Sequence, residues 1–156
     1  VSGLAADDGN LLEALRQLPD ELRRVIHGRS LDELRRPSSD GGWGPIEHLA
    51  HVRDWEEIFL GRVAAVLEQD RPELPAYDDA LWSIERDYSA RQPDRELAEF
   101  AGLRAEVVAL VERAPNDAWE RQAVHALAGL VNLRWLLARL HDHGQDHVRQ
   151  VRDLIA

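Results

Sequence analysis

Leucine, valine and isoleucine return along this chain at intervals of three and four residues, and no convincing run alternates with a period of two. That rhythm lays apolar side chains along one stripe of a helix, which confines the chain to all-α architectures. In the first helical region, about residues 9 to 36, the stripe is Leu11, Leu12, Leu15, Leu18, Leu22, Val25 and Ile26, with Pro19 expected to begin a new turn. The run "SLDEL" at 30 to 34 reads as a capping box, Ser30 covering free amides while Glu33 bonds back, and marks a short separate helix. After the loop "PSSDGG", Pro45 suits the start of a second long helix reaching about residue 69. "DRPELPAYDD" is a connector, and a short helix is expected around 78 to 90. A third long helix is expected over 94 to 113 and a fourth from near Ala126 to the end. Four long helices with one extended crossover predict a four-helix bundle, which builds ligand sites where inward side chains of facing helices converge. The 156 residues suffice for one core and are read as a single domain, 1–156.

Composition narrows the function. With 29 acidic against 19 basic residues the net charge is −10, which opposes sequence-independent binding to nucleic acid or to anionic lipid, and no nucleic-acid motif is present. No apolar run is long enough to span a membrane, and "VSGLAADDGN" does not read as a signal peptide, so a cytoplasmic location is expected. Cysteine is absent, so this chain supplies no thiolate nucleophile, disulfide or sulfur ligand. Any metal must be held by imidazole or carboxylate, and any thiol chemistry must use a thiol from outside.

Three histidines crowd "LHDHGQDHVRQV" at 140 to 151. On that helix Leu133, Leu136, Leu140, His143, His147, Gln150 and Leu154 follow one another at offsets of three and four, so His143 and His147 stand one turn apart where the pattern has been supplying leucine. His141 is rotated away. Buried imidazoles need partners, and an offset of four lets two histidines reach one ion. Gly144 stands where the HExxH motif places its glutamate, so this is not that motif. The second long helix offers a third donor in His48 or His51, both near its apolar side, and spacing does not choose between them. His27 and His125 have no partner at ligand spacing and are read as incidental.

"GGWGPIEHLAHVRDWEE", followed much later by "WLLARLHDHGQDHVRQV", resembles the DinB/YfiT-like superfamily of bacterial four-helix-bundle proteins. In that family a tryptophan opens the second helix and a histidine eight residues later is the first metal ligand; counted from Trp43, this is His51. The family's other two ligands form HxxxH on the last helix, followed by glutamine and an aliphatic residue, here His143, His147, Gln150 and Val151. The resemblance therefore implies a divalent metal, zinc by default or nickel, on His51, His143 and His147, with open positions for water or substrate. Glu47, Asp54 and Gln150, and less so Asp142 and Asp146, are placed to support those ligands, a carboxylate holding a ligand imidazole in its tautomer.

The expected activity is that of a metal-dependent enzyme acting on a small molecule, either a hydrolase using water or a transferase using a low-molecular-weight thiol such as bacillithiol or mycothiol. The alternative is a non-catalytic metal-binding or stress-response scaffold, and a metal-free bundle with hydrogen-bonded histidines is a third reading. An enzyme needs an open coordination position beside a cavity, whereas a structural site is closed by a fourth protein donor. Family resemblance also suggests pairing of two copies as a homodimer.

Overall fold

The computed structural model describes residues 5–156. Six helices, α1 (Ala6–Ile26), α2 (Leu31–Arg35), α3 (Pro45–Glu68), α4 (Trp82–Glu85), α5 (Pro93–Arg113) and α6 (Leu133–Ile155), are accompanied by three short strands, β1 (Glu73–Leu74), β2 (Gln122–His125) and β3 (Gly129–Asn132). The four long helices form the bundle. α1 packs on α5 and α6, and α3 packs on the same two, so α1 and α3 stand on one diagonal. Ion pairs fix the directions. Arg53 with Glu99 and Glu56 with Arg104 show α3 and α5 running parallel, and Asp8 with Arg134 and Glu21 with Arg152 show the same for α1 and α6. A parallel neighbour in sequence requires a connection that travels back along the bundle, and residues 69 to 92 supply that crossover.

Local chemistry accounts for the element boundaries. Ser30 Oγ accepts from Glu33 N and Glu33 Oε2 accepts from Ser30 N, the capping box that separates α2 from α1. Pro45 opens α3, where its missing N–H costs nothing. The short helix expected at 78 to 90 is divided into α4 and a 3-10 turn at Tyr88–Ala90.

Two expectations are corrected. Pro19 does not begin a new turn: α1 runs through it without interruption. A proline here withholds the N–H that would bond the Leu15 carbonyl one turn back, and Arg104 Nη1 donates to that oxygen instead at 2.9 Å. The same guanidinium grips Glu56 through Nε (2.5 Å) and Nη2 (2.9 Å), with both side chains almost wholly buried. The fourth helix starts at Leu133, seven residues later than expected at Ala126, and the preceding segment is a hairpin. Gly129 takes the positive φ of 80° that the hairpin turn needs, and Asn132 Oδ1 accepts from Trp135 N at 2.8 Å to cap the helix. β2 also pairs in parallel with β1 of the crossover, making a three-stranded sheet that an all-helical reading does not contain.

The core divides into a larger cluster around Leu15, Val63, Val107, Leu136 and Leu137 and a second around Leu18, Leu22, Leu49, Phe100 and Val148. A third, aromatic cluster of Trp82 and Tyr88 against Ala50, with Trp43 and Trp55 at its edge, seats the crossover on α3. No helix among the described residues is long and apolar enough to cross a membrane.

Candidate metal centre

α3 and α6 meet antiparallel, so His48 and His51, in the first two turns of α3, lie opposite His147 and His143 in the middle of α6. The pairing sorts the histidines. One ring nitrogen each from His51, His143 and His147 lies within 4.8 Å of the others, and the three form a group able to hold a metal ion. His51 Nε2 and His143 Nε2 are 3.2 Å apart; nitrogens about 2.1 Å from one tetrahedral ion stand about 3.4 Å apart, so the pair is spaced as such a site requires. His48 stands outside this group, its Nδ1 2.9 Å from Nδ1 of His147. That contact engages Nδ1 of His147, and a hydrogen bond at one ring nitrogen fixes the tautomer of an imidazole. His141, also on α6, does not belong to the group.

Burial sets the charge state. It pushes the His143 pKa down to about 4, with the His51 ring adding to the effect, and that of His147 to about 2, helped by His143, His51 and His48. His48 is likewise lowered to about 4, by burial and then by His51. His51 is lowered by burial against the opposing pull of Asp79 and Asp54. At neutral pH the cluster therefore offers uncharged imidazoles with free lone pairs, the state in which histidine binds metals.

The residues expected to support the ligands are otherwise engaged. Glu47 Oε2 accepts from Gly44 N at 3.0 Å and caps α3. Asp54 is 3% exposed and accepts from Arg91 (2.9 Å), Arg86 (3.0 Å), Tyr88 Oη (3.0 Å) and Arg53 (3.2 Å). Burial pushes the Asp54 carboxyl up, but the hydrogen bonds from Arg91, Arg86 and Tyr88 outweigh it and hold it below its ordinary value. Its role is to anchor the crossover, and the buried Nδ1 of His51 has no hydrogen-bond partner. Gln150 is exposed rather than on the core stripe, and lines a separate cleft with Trp43 and His48. Asp142 and Asp146 are exposed on the outer face of α6, Asp146 paired with Arg149.

In front of the three histidines lies a cavity of about 700 Å³. It contains residues that the sequence reading did not single out. Asp79, from the crossover, places Oδ2 3.9 Å from His51 Nε2 and accepts from Trp55 Nε1 at 2.9 Å. His125, read as incidental, lines the same cavity. Its Nδ1 accepts from Leu127 N and Ala128 N, both at 3.1 Å, which leaves the proton of the neutral ring on Nε2. Arg62, on α3, and Arg139, on α6, complete the polar lining. Arg62 lies about three helical turns beyond His51 on the same face, a spacing visible in the sequence; nothing in the sequence pairs Asp79 or His125 with the histidines.

A crossover bundle with a three-imidazole group at the inner end of an open cavity defines the class of protein. The chain belongs to the DinB superfamily, whose model matches residues 14–151. It is 25% identical to a protein of Geobacillus thermodenitrificans over 96% of this chain and 85% of the relative, which is named "putative metal-dependent hydrolase". It is 22% identical to YfiT of Bacillus subtilis, a protein of the same description, over 92% of this chain and 81% of the relative. The solved structure of YfiT, described as an unusual four-helix bundle topology, superposes with a TM-score of 0.87 at 20% identity, covering 99% of this chain and 89% of that one, a likeness of fold.

Proposed function

We propose that His51, His143 and His147 bind a divalent metal ion and that the protein is a metal-dependent hydrolase of a small molecule. The observation that carries this reading is the convergence of three uncharged imidazoles beside a cavity, with no fourth protein donor in the group among the described residues. A structural site would be closed. Hydrolase is also the description its relatives carry. Zinc fits three imidazoles and an open position, and nickel is accepted by the same donors.

A bound divalent ion supplies Lewis acidity, polarising a substrate oxygen and easing loss of a proton from water. The protein's own groups do the rest. Asp79 is held beside His51 by the Trp55 indole, where its carboxylate takes the proton of an attacking water. His125, with its proton on Nε2, donates a hydrogen bond within the same cavity to the substrate or its leaving group. Trp55 and Trp135 limit water and present flat apolar surface to the substrate. Water is preferred to an external thiol as the nucleophile because it needs such a base, whereas a thiol with a pKa of about 8.5 loses its proton readily.

The test is metal content by elemental analysis of untagged protein, for wild type and for His51→Ala, His143→Ala and His141→Ala. Near-stoichiometric metal in wild type and His141→Ala, lost from the other two, supports the site; screening of ester and amide substrates with and without added thiol then separates hydrolase from transferase. A wild-type protein that holds no metal after reconstitution with zinc or nickel ends the reading.

A further inference from the structure

Arg62 is a buried cation without a counter-ion among the described residues. Its side chain is 7% exposed, Nη2 donates to Pro75 O at 2.8 Å, Nε is sealed from solvent with no acceptor, and no carboxylate pairs with it among the described residues. The contrast with Arg104, which spends its donors on Glu56 and Leu15 O, is direct. Aromatic faces surround the Arg62 guanidinium, its carbon lying 5.5 Å from the Phe59 ring, 5.6 Å from Trp55 and 5.7 Å from Tyr77. An unpaired charge kept out of water weakens the fold unless something else is gained.

What is gained lies in the cavity that Arg62 lines. Arg139 reaches the same cavity from α6, 5.5 Å over the Trp135 ring, and it too has no carboxylate partner among the described residues. Both charges line one cavity with His125, and besides burial both act to lower its pKa. Although the chain carries a net charge of −10, Asp79 is the one carboxylate in the cavity lining among the described residues, and it sits at the histidine end. Trp55 separates the two ends, its ring 6.2 Å from His143 and 5.6 Å from the Arg62 guanidinium.

We infer that the end of the cavity away from the histidines is a carboxylate-binding subsite, in which Arg62 and Arg139 hold the anionic group of a small organic substrate while its planar or apolar body lies against Trp55. The inference rests on the hydrolase reading for what happens at the histidine end, but the subsite itself does not need the metal. A carboxylate is preferred to a phosphate because, of the two guanidiniums, Arg62 alone is buried and its Nη2 is already bonded to Pro75 O, while Arg139 is exposed and its charge is screened by water; a phosphate dianion would be only partly neutralised in a site walled by aromatic rings.

The experiment is calorimetric titration of the metal-free and zinc-loaded full chain with benzoate, its neutral isostere benzamide, and phenyl phosphate. We expect benzoate to bind both forms at least about tenfold more tightly than benzamide, and Arg62→Gln to weaken benzoate at least about tenfold with benzamide unchanged. Arg139→Gln, on the exposed side, is expected to weaken benzoate a few-fold. Should Arg62→Gln fail to fold by circular dichroism, Arg62→Lys and Arg139→Gln carry the comparison. Equal affinity for benzoate and benzamide in the metal-free wild type, or a preference that survives both arginine substitutions, overturns the subsite. So does benzoate binding seen only with zinc, and tighter binding of phenyl phosphate overturns the choice of carboxylate. A protein that holds no zinc yet prefers benzoate through Arg62 refutes the hydrolase reading and leaves the subsite standing.

Discussion

The histidine cluster should make the metal-free protein sensitive to mild acid in a way that one substitution can isolate. His143 is held neutral in the fold, its pKa near 4, while in the unfolded chain it titrates near 6.5. Above pH 6.5 neither state is protonated and the site costs nothing. As pH falls through 6.5 the unfolded state takes up the proton first, so stability is lost down to the folded value and is flat below it. Each such histidine removes about 1 kcal/mol over the first pH unit below 6.5 and about 1.4 kcal/mol per unit once the unfolded imidazole is mostly protonated. His48, at about 4, and His147, at about 2, act with the same sign, so the three together remove up to about 3 kcal/mol between pH 6.5 and 5.5. That is a large part of the 5 to 15 kcal/mol by which a domain is typically stable. Glu56 and Glu96, pushed up by burial, act in the opposite sense. The comparison of wild type with His143→Phe cancels them. Urea unfolding of chelator-treated protein at pH 7.5, 6.5 and 5.5 should show the wild type losing about 1 kcal/mol more than the variant over the last interval, with m-values unchanged. Equal losses in the two proteins would mean that His143 is free to protonate in the fold, and the account of a neutral cluster would be wrong.

Three further outcomes are expected. Replacing His48 by Phe, which removes the Nδ1 contact behind His147, should leave the helical spectrum unchanged and weaken zinc binding about 10- to 100-fold in a chelator competition. Arg104→Met strands a buried Glu56 carboxylate and the Leu15 carbonyl, and should cost about 3 to 5 kcal/mol by urea unfolding, with much of the loss recovered by adding Glu56→Leu. Gly144 sits where α6 crosses α1, and an added Cβ would meet Leu18 Cδ1 at 2.8 Å; Gly144→Ala should cost about 1 to 3 kcal/mol of overpacking, less about 1 kcal/mol of helix propensity, and Leu18→Val in the same chain should restore the melting temperature.

The helices that carry the histidines were legible because period and caps are local. Leucine spacing located the long elements, Pro45 opened α3, and the Ser30 box divided α1 from α2. Pro19 misled because what rescues its turn is an arginine 85 residues further along the chain, beyond the reach of any local rule. The hairpin before α6 was hidden for a related reason: "LAGLVN" keeps a helix-like apolar spacing, and the residues that break it, Gly129 and Asn132, tell only through their positive φ and cap. The choice of His51 over His48 needed the family resemblance, since both are buried on α3 and only the direction in which each ring meets α6 separates them. Asp54 looked like a support for His51, but burial brought it arginines from the crossover, and its carboxylate accepts from four other residues rather than from the imidazole.

The crossover is what turns a histidine cluster into a cavity. Because α3 and α5 run parallel, the chain must return along the bundle between them, and residues 69 to 92 do so across the face where α3 and α6 meet. Asp54 ties this segment down through Arg86, Tyr88 and Arg91, Trp55 holds it through Asp79, Arg62 through Pro75 O, and β1 joins it to the hairpin that carries His125. Each tie uses a side chain of α3 or a strand pairing, so the wall facing the histidines is set by the same helix that provides His51. An up-and-down bundle with tight turns could hold three imidazoles equally well, yet it would have no segment to bring a carboxylate to one side of them and close an arginine-lined space in front. The unusual connectivity is thus a condition of the site, and the polar anchors of the crossover belong to its function as much as the histidines do.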